Sequence, residues 1–160
     1  MKIKILFACA ILILFALINF PANLYAKGRI INVYKYFSHH TLKEIYVIAR
    51  ANPKQWALTL SDVSNAVILS NSHFINFKID VVAYSPGGIR FLMKKYDKKN
   101  YPTIQSLSTY GVKFIACHLT MKTLHIKPKQ LFNFVKIAYP GAVFYIAKKE
   151  MQGFEYIKTY

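Results

Sequence analysis

Glu44 to Arg50 reads E-I-Y-V-I-A-R, with no polar residue between Ile45 and Ala49. A run this short and this continuously apolar is a strand covered on both faces, the kind found inside parallel sheets. A parallel neighbour requires a crossover, usually a helix. The sequence supplies one directly. Asn52-Pro53-Lys54-Gln55 opens a helix, with Asn52 as N-cap, Pro53 at the first helical position and Gln55 where a capping box places it. Trp56, Leu60, Val63 and Val67 then form one apolar stripe to about Ser70. Asn76 to Tyr84 is the second strand.

The same alternation continues. Ser85-Pro86-Gly87-Gly88 breaks the chain after the second strand, and its glycines permit positive φ and close backbone approach. Ile89 to Tyr96 reads as a short helix, Asp97 to Asn100 as a polar loop, and Thr103 to Tyr110 as a helix closing at Gly111. Val112, Phe114 and Ala116 alternate with Lys113 and Ile115 and bring a strand up to Cys117. Pro128 to Leu131 starts a short helical piece, Phe134 to Ala138 is a fourth strand, Ala142 to Gln152 a helix stopped by Gly153, and Phe154 to Lys158 a last strand. This order specifies an α/β fold, a three-layer α/β/α domain with a mostly parallel sheet of about five strands over 44–160. Lys27 to Lys43 is an N-terminal extension, either an extra strand or a packed arm.

Met1 to Ala26 carries Lys2 and Lys4, an unbroken apolar run from Ile5 to Ile18, and then Asn19, Pro21, Asn23 and Ala26. That is the layout of a signal peptide, since the run is shorter than the ~20 residues of a membrane span. The expectation is a periplasmic or secreted protein. Retention of this segment would instead give a membrane-anchored one, and the membrane is a partner only in that case. Cys9 lies inside the apolar run, not after it as lipoprotein acylation requires.

Removal of the leader leaves Cys117 as the only cysteine of about 134 residues, so no internal disulfide can form. In open α/β sheets ligand sites lie beyond the carboxyl ends of the strands. Ser85 to Gly88, Cys117-His118 and Tyr139 to Gly141 all fall there. Leu119 to Leu124 can form a helical turn whose N–H groups face the sulfur, and Lys122 and His118 add positive charge; both effects lower a thiol pKa. Ser85, Pro86, Gly87, Gly88 and Thr120 are the candidate pocket residues around it. The alternative is a packed structural cysteine, a small buried hydrophobe.

Other chemistries find little support. His39-His40 point apart on an extended segment and have no third ligand at a suitable spacing, so no metal is expected. No third glycine or G-K-[ST] follows Gly87-Gly88, which excludes dinucleotide and P-loop signatures, and no cofactor is expected. No G-x-S-x-G elbow is present, and no carboxylate pair stands out among 6 acidic residues. The net charge of +16 favours acidic partners, but the lysines are scattered, and an exported protein rarely meets nucleic acid.

From Ile45 to Lys158 the chain resembles the DsrE/DsrF-like family of sulfur-relay proteins, above all its small exported members. The residues that carry this are G-V-K-F-I-A-C-H-L-T, then Ile126-Lys127-Pro128, then A-V-F-Y-I-A-K-K-E-M-Q-G-F-E-Y-I-K. Asn65 falls where many members have an Asn, which adds it to the pocket candidates, and Trp56 also fits. Two positions depart: Tyr84-Ser85-Pro86 stands where His-Gly-Pro is frequent, and His118 where Asn is. The resemblance implies a homo-oligomer, trimer or hexamer. It also implies that Cys117 accepts a sulfane sulfur as a persulfide from a donor protein and passes it to an acceptor. His118, outside that pattern, is a candidate base or orienting group by its adjacency alone, although neighbours on an extended strand point to opposite faces. A non-catalytic oligomeric binding module is the competing reading.

Overall fold

The computed structural model describes residues 30–159, so the leader expected at Met1 to Ala26 lies outside the described residues. Val33–Tyr160 forms one compact unit. It begins with a helical turn, α1 (Tyr34–Phe37), followed by β1 (Leu42–Ile48), α2 (Pro53–Ser72), β2 (Phe77–Ala83) and the single turn α3 (Ser85–Gly88). Then come α4 (Tyr101–Thr109), β3 (Lys113–Cys117), α5 (His118–Thr123), β4 (Lys136–Ala138), α6 (Ala142–Met151) and β5 (Glu155–Ile157). The five strands form one sheet in the order β4-β3-β2-β1-β5, and every pairing is parallel.

The period of two along each strand divides the core into two layers. Tyr46, Ile48, Ile79, Val81, Phe114 and Ala116 face the stripe of α2 (Trp56, Leu60, Val63, Val67) together with Ile104 and Leu107 of α4. Ile45, Val47, Val82, Ile115 and Cys117 face the other way, onto Ala142 and Phe154. The expected three-layer α/β/α architecture is therefore the one observed. Ile45 to Ile48 are all buried, as the continuously apolar run requires. Among the described residues no helix is long and apolar enough to cross a membrane.

Several local expectations are corrected. Asn52 caps α2, its Oδ1 accepting from the N–H groups of Lys54 and Gln55 at 3.0 and 3.3 Å. Gln55 does not return the favour; its Nε2 donates to the Thr159 carbonyl at 2.8 Å and so ties the chain's end to the start of α2. Ile89 to Tyr96 is not a helix. Ile89–Leu92 forms a 3-10 segment, after which Met93 is extended and bridges Leu131 in an antiparallel pair, and 94–96 make a separate turn. Ile89, Phe91, Leu92 and Met93 are all buried, so this segment needs apolar cover on every side, which a surface helix cannot give. Within the extension, 34–37 make a helical turn and not a strand, with the Tyr34 ring stacked on that of His73 at 3.6 Å, and β1 already starts at Leu42. β4 and β5 are shorter than Phe134–Ala138 and Phe154–Lys158.

The glycines of the Ser85 loop also act differently from expectation. Neither has positive φ; the left-handed residue is Ser85, at φ 63°. What Gly87 and Gly88 provide is space, since a Cβ on Gly88 would strike the Ile48 carbonyl and one on Gly87 the Ala51 amide. Their role is to bring the loop hard against the end of β1.

Candidate functional site

Cys117 ends β3 and serves as N-cap of α5. With its ψ still extended at 116°, the chain turns immediately into helix, and the first N–H groups of α5 curl back toward the sulfur. The residue is 6 % exposed, yet it forms part of the wall of an open pocket of about 520 Å³. Tyr84 and Ser85 beyond β2, Thr120 of α5, and Pro140, Gly141 and Phe144 around the start of α6 complete most of that wall. The three loops at the carboxyl ends of β2, β3 and β4 thus meet at one atom.

Burial alone would push the Cys117 thiol up, because removal from water penalises the charged form. Hydrogen bonds outweigh it. The hydroxyl and N–H of Thr120, the N–H of Ala142 and the N–H of Leu119 all favour the thiolate, and the net result is a thiol below its ordinary value. The Ala142 N–H donates to Sγ at 3.3 Å. Ala142 is the first residue of α6, so the sulfur lies at the amino ends of two helices at once.

The Thr120 hydroxyl is held in a defined direction. The Ser85 N–H donates to Thr120 Oγ1 at 3.1 Å, occupying an acceptor site and leaving the hydroxyl proton for the sulfur. Ser85 is held in turn by a hydrogen bond from its hydroxyl to the Ala49 carbonyl. The left-handed backbone of Ser85, uncommon for a residue with a Cβ, is the price of aiming that amide.

The structure therefore brings Ser85 and Thr120 to Cys117 and leaves other candidates elsewhere. Pro86 lines a different cavity with Arg90 and Tyr96. Gly87 and Gly88 pack on 48–51 and not on the pocket. Asn65 is exposed on α2, away from the sulfur pocket's wall. His118 opens α5 with its ring 4.9 Å from that of Tyr139, and no hydrogen bond joins it to the sulfur. Lys122 lies in the last turn of α5 and does not contribute to the thiol's shift, which rests on hydrogen bonds and not on a nearby cation. Among the described residues no cluster of His, Cys, Asp and Glu could hold a metal.

Sequence reasoning missed two features. The Ala142 N–H is a backbone donor, invisible in side-chain chemistry; the break at Pro140-Gly141 before a helix was its only signal. The second is a buried grip on α6. Asp80 of β2, 2 % exposed, pairs with Lys149 Nζ at 2.8 Å and accepts from the Tyr145 hydroxyl at 2.8 Å. Lys149 also lies over the Phe154 ring, 4.3 Å from its centroid. Burial, then the hydrogen bond to Asp80 and its charge, push the Tyr145 phenol upward. Asp80 faces the same side of the sheet as Val82, so it fastens one helix, α6, by two successive turns.

No family model and no curated protein matches the chain. Solved structures do, and two of them are described. The protein of unknown function MTH1491 from Methanobacterium thermoautotrophicum is 24 % identical with a TM-score of 0.65, over 73 % of this chain and 98 % of that one. The ychN protein from E. coli is 13 % identical with a TM-score of 0.51, over the same shares of 73 % and 98 %. At these identities the likeness is one of fold. It supports a DsrE-like fold for this chain.

Proposed function

We propose that this protein is a sulfur carrier of the relay type, exported by its leader, that loads and unloads sulfane sulfur on Cys117. The observation that carries this reading is the set of four donors aimed at one pocket-wall sulfur, whose thiol lies low despite burial. A packed structural cysteine has no use for such a set. The thiolate attacks the outer sulfur of a donor persulfide R–S–SH; the donor's S–S bond breaks, R–S⁻ leaves, and Cys117 holds the new S–S bond as Cys–S–SH. No net oxidation occurs, and the proton stays on the transferred sulfur. The four donors would then stabilise charge on Sγ again when the acceptor thiolate takes the outer sulfur away.

Leu119, Val143 and Phe144 are 61, 73 and 69 % exposed around the pocket. An apolar rim of this kind suits burial against a protein surface, either a second copy in a homo-oligomer or the donor. A chain that sediments as a monomer at all concentrations would remove the oligomer from this reading.

Loading is tested by intact mass. After exposure to a persulfide donor and removal of excess, the chain is expected to gain one sulfur atom, lost again on reduction and absent in Cys117→Ser. A Cys117 that never gains sulfur, in a chain that is folded by circular dichroism, would refute the carrier.

A further inference from the structure

Away from the sulfur, the short antiparallel pairing between 92–94 and 130–132 builds a second cavity. Lys94 N–H donates to the Gln130 carbonyl at 3.2 Å and Phe132 N–H to the Leu92 carbonyl at 3.1 Å, which pairs Lys94 with Gln130 and Leu92 with Phe132 and leaves Lys94 and Phe132 diagonal neighbours on one face of the pairing. Lys94, Lys98, Tyr101, Phe132 and Asn133 line a pocket of about 360 Å³ that shares no residue with the one at Cys117. Its apolar side is a pair of rings, Tyr101 and Phe132, with centroids 4.8 Å apart. Phe132 is 4 % exposed and is backed by Phe134 and Phe114, so this wall is rooted in the core and rigid.

The polar side is unspent. Asp97, the acidic residue between the two lysines in sequence, is buried and gives its carboxylate to Asn100, accepting at 3.2 Å from the N–H and at 3.1 Å from Nδ2. Neither Lys94 nor Lys98 has a carboxylate within ion-pair distance among the described residues, and the Tyr101 hydroxyl has no hydrogen-bond partner there. Two free ammonium groups, a free phenol and the Asn133 amide thus line the same cavity as two aromatic rings tilted by 41° to each other. Two positive charges match a phosphate monoester, which carries about −1.5 to −2, better than the single charge of a carboxylate. The volume is at the lower end of small-molecule sites, which span about 300–1,000 Å³, and admits one ring system but not several.

We propose that this cavity binds a ring-bearing phosphate monoester of mononucleotide size, the ring against Tyr101 and Phe132 and the phosphate between Lys94 and Lys98. Nothing in this site depends on Cys117.

Calorimetry on the full chain, with AMP and 4-nitrophenyl phosphate as probes and adenosine and inorganic phosphate as the separate halves, tests it. At least one of the ring phosphates is expected to saturate a single site, with inorganic phosphate and adenosine each binding about tenfold or more weaker than that ring phosphate. The double variant Lys94→Ala/Lys98→Ala is expected to lose about tenfold or more in affinity, and Tyr101→Leu a similar amount from lost stacking. Cys117→Ser is expected to bind as the parent does. The proposal is overturned if neither ring phosphate binds, if inorganic phosphate or adenosine binds as tightly as the ring phosphate that does, or if the lysine variant, folded by circular dichroism, binds unchanged.

Discussion

Replacement of Thr120 by Val slows the reaction of Cys117 with an aromatic disulfide at neutral pH by about fivefold. The magnitude follows from two opposed effects. A hydrogen bond to a charged group contributes about 1.5–3 kcal/mol, so its loss cuts the thiolate fraction by roughly tenfold to a hundredfold. A more basic thiolate is a better nucleophile, with a Brønsted slope of about 0.4–0.5, and this recovers almost half of the logarithmic loss. Val keeps the shape of Thr but carries no donor. The sign is fixed by the direction of the shift: Thr120 pulls the thiol below its ordinary value, so its removal moves the whole pH–rate profile toward higher pH. Thr120→Ser, which retains the hydroxyl, restores the profile. A Val variant with an unmoved profile would show that the N–H groups of Leu119, Thr120 and Ala142 suffice without the hydroxyl.

Asp80→Asn lowers the stability of the domain by about 3 kcal/mol, read from urea unfolding. Against a total of about 5–15 kcal/mol this is a large fraction. The cause is not the loss of a favourable bond so much as the charge left behind. The Lys149 side chain is 14 % exposed, and without the carboxylate its ammonium has only neutral neighbours, the replacement amide and the Phe154 and Tyr145 rings. Breaking a buried pair from one side costs more than the pair itself is worth. Adding Lys149→Met to Asp80→Asn is therefore expected to regain most of the loss. If Asp80→Asn alone stays within about 1 kcal/mol of the parent, α6 is held by Ala142, Ile146 and Phe154 packing and the grip at Asp80 is ornamental.

Much of the fold is legible in the chain because its strongest signals are local. Ile45 to Ala49 is short, β-branched and followed at once by a helix cap, which marks a strand with two covered faces, and Trp56, Leu60, Val63 and Val67 recur at helical spacing. Cys117 at a strand end followed by a helical turn is likewise visible, and so is the placing of Ser85 at the neighbouring strand's end. What escapes is whatever depends on distant partners. Asp80 gives no sign in sequence that residues 145 and 149 will close on it, and Ala142 none that its N–H will face residue 117. Met93 belongs to a lysine-rich segment of fair helix propensity, and its pairing with Leu131 overrides that preference. The glycines at 87 and 88 suggested conformational freedom, whereas the fold uses their lack of a side chain, a distinction that only the position of β1 decides. Asn65 shows the limit of motif matching: the helix is right, but the residue lies on its solvent side.

Sulfur loading on this chain depends on the ionisation of one atom, Cys117 Sγ. The direct measurement is a pH titration of thiolate ultraviolet absorbance in a Cys9→Ser chain, where Cys117 is the sole cysteine, run beside the rate of its reaction with an aromatic disulfide. Both curves are expected to share a midpoint below that of free cysteine, with the reaction reaching Cys117 in the folded protein. A midpoint at or above free cysteine, or a thiol that reacts only after unfolding, would contradict the carrier reading.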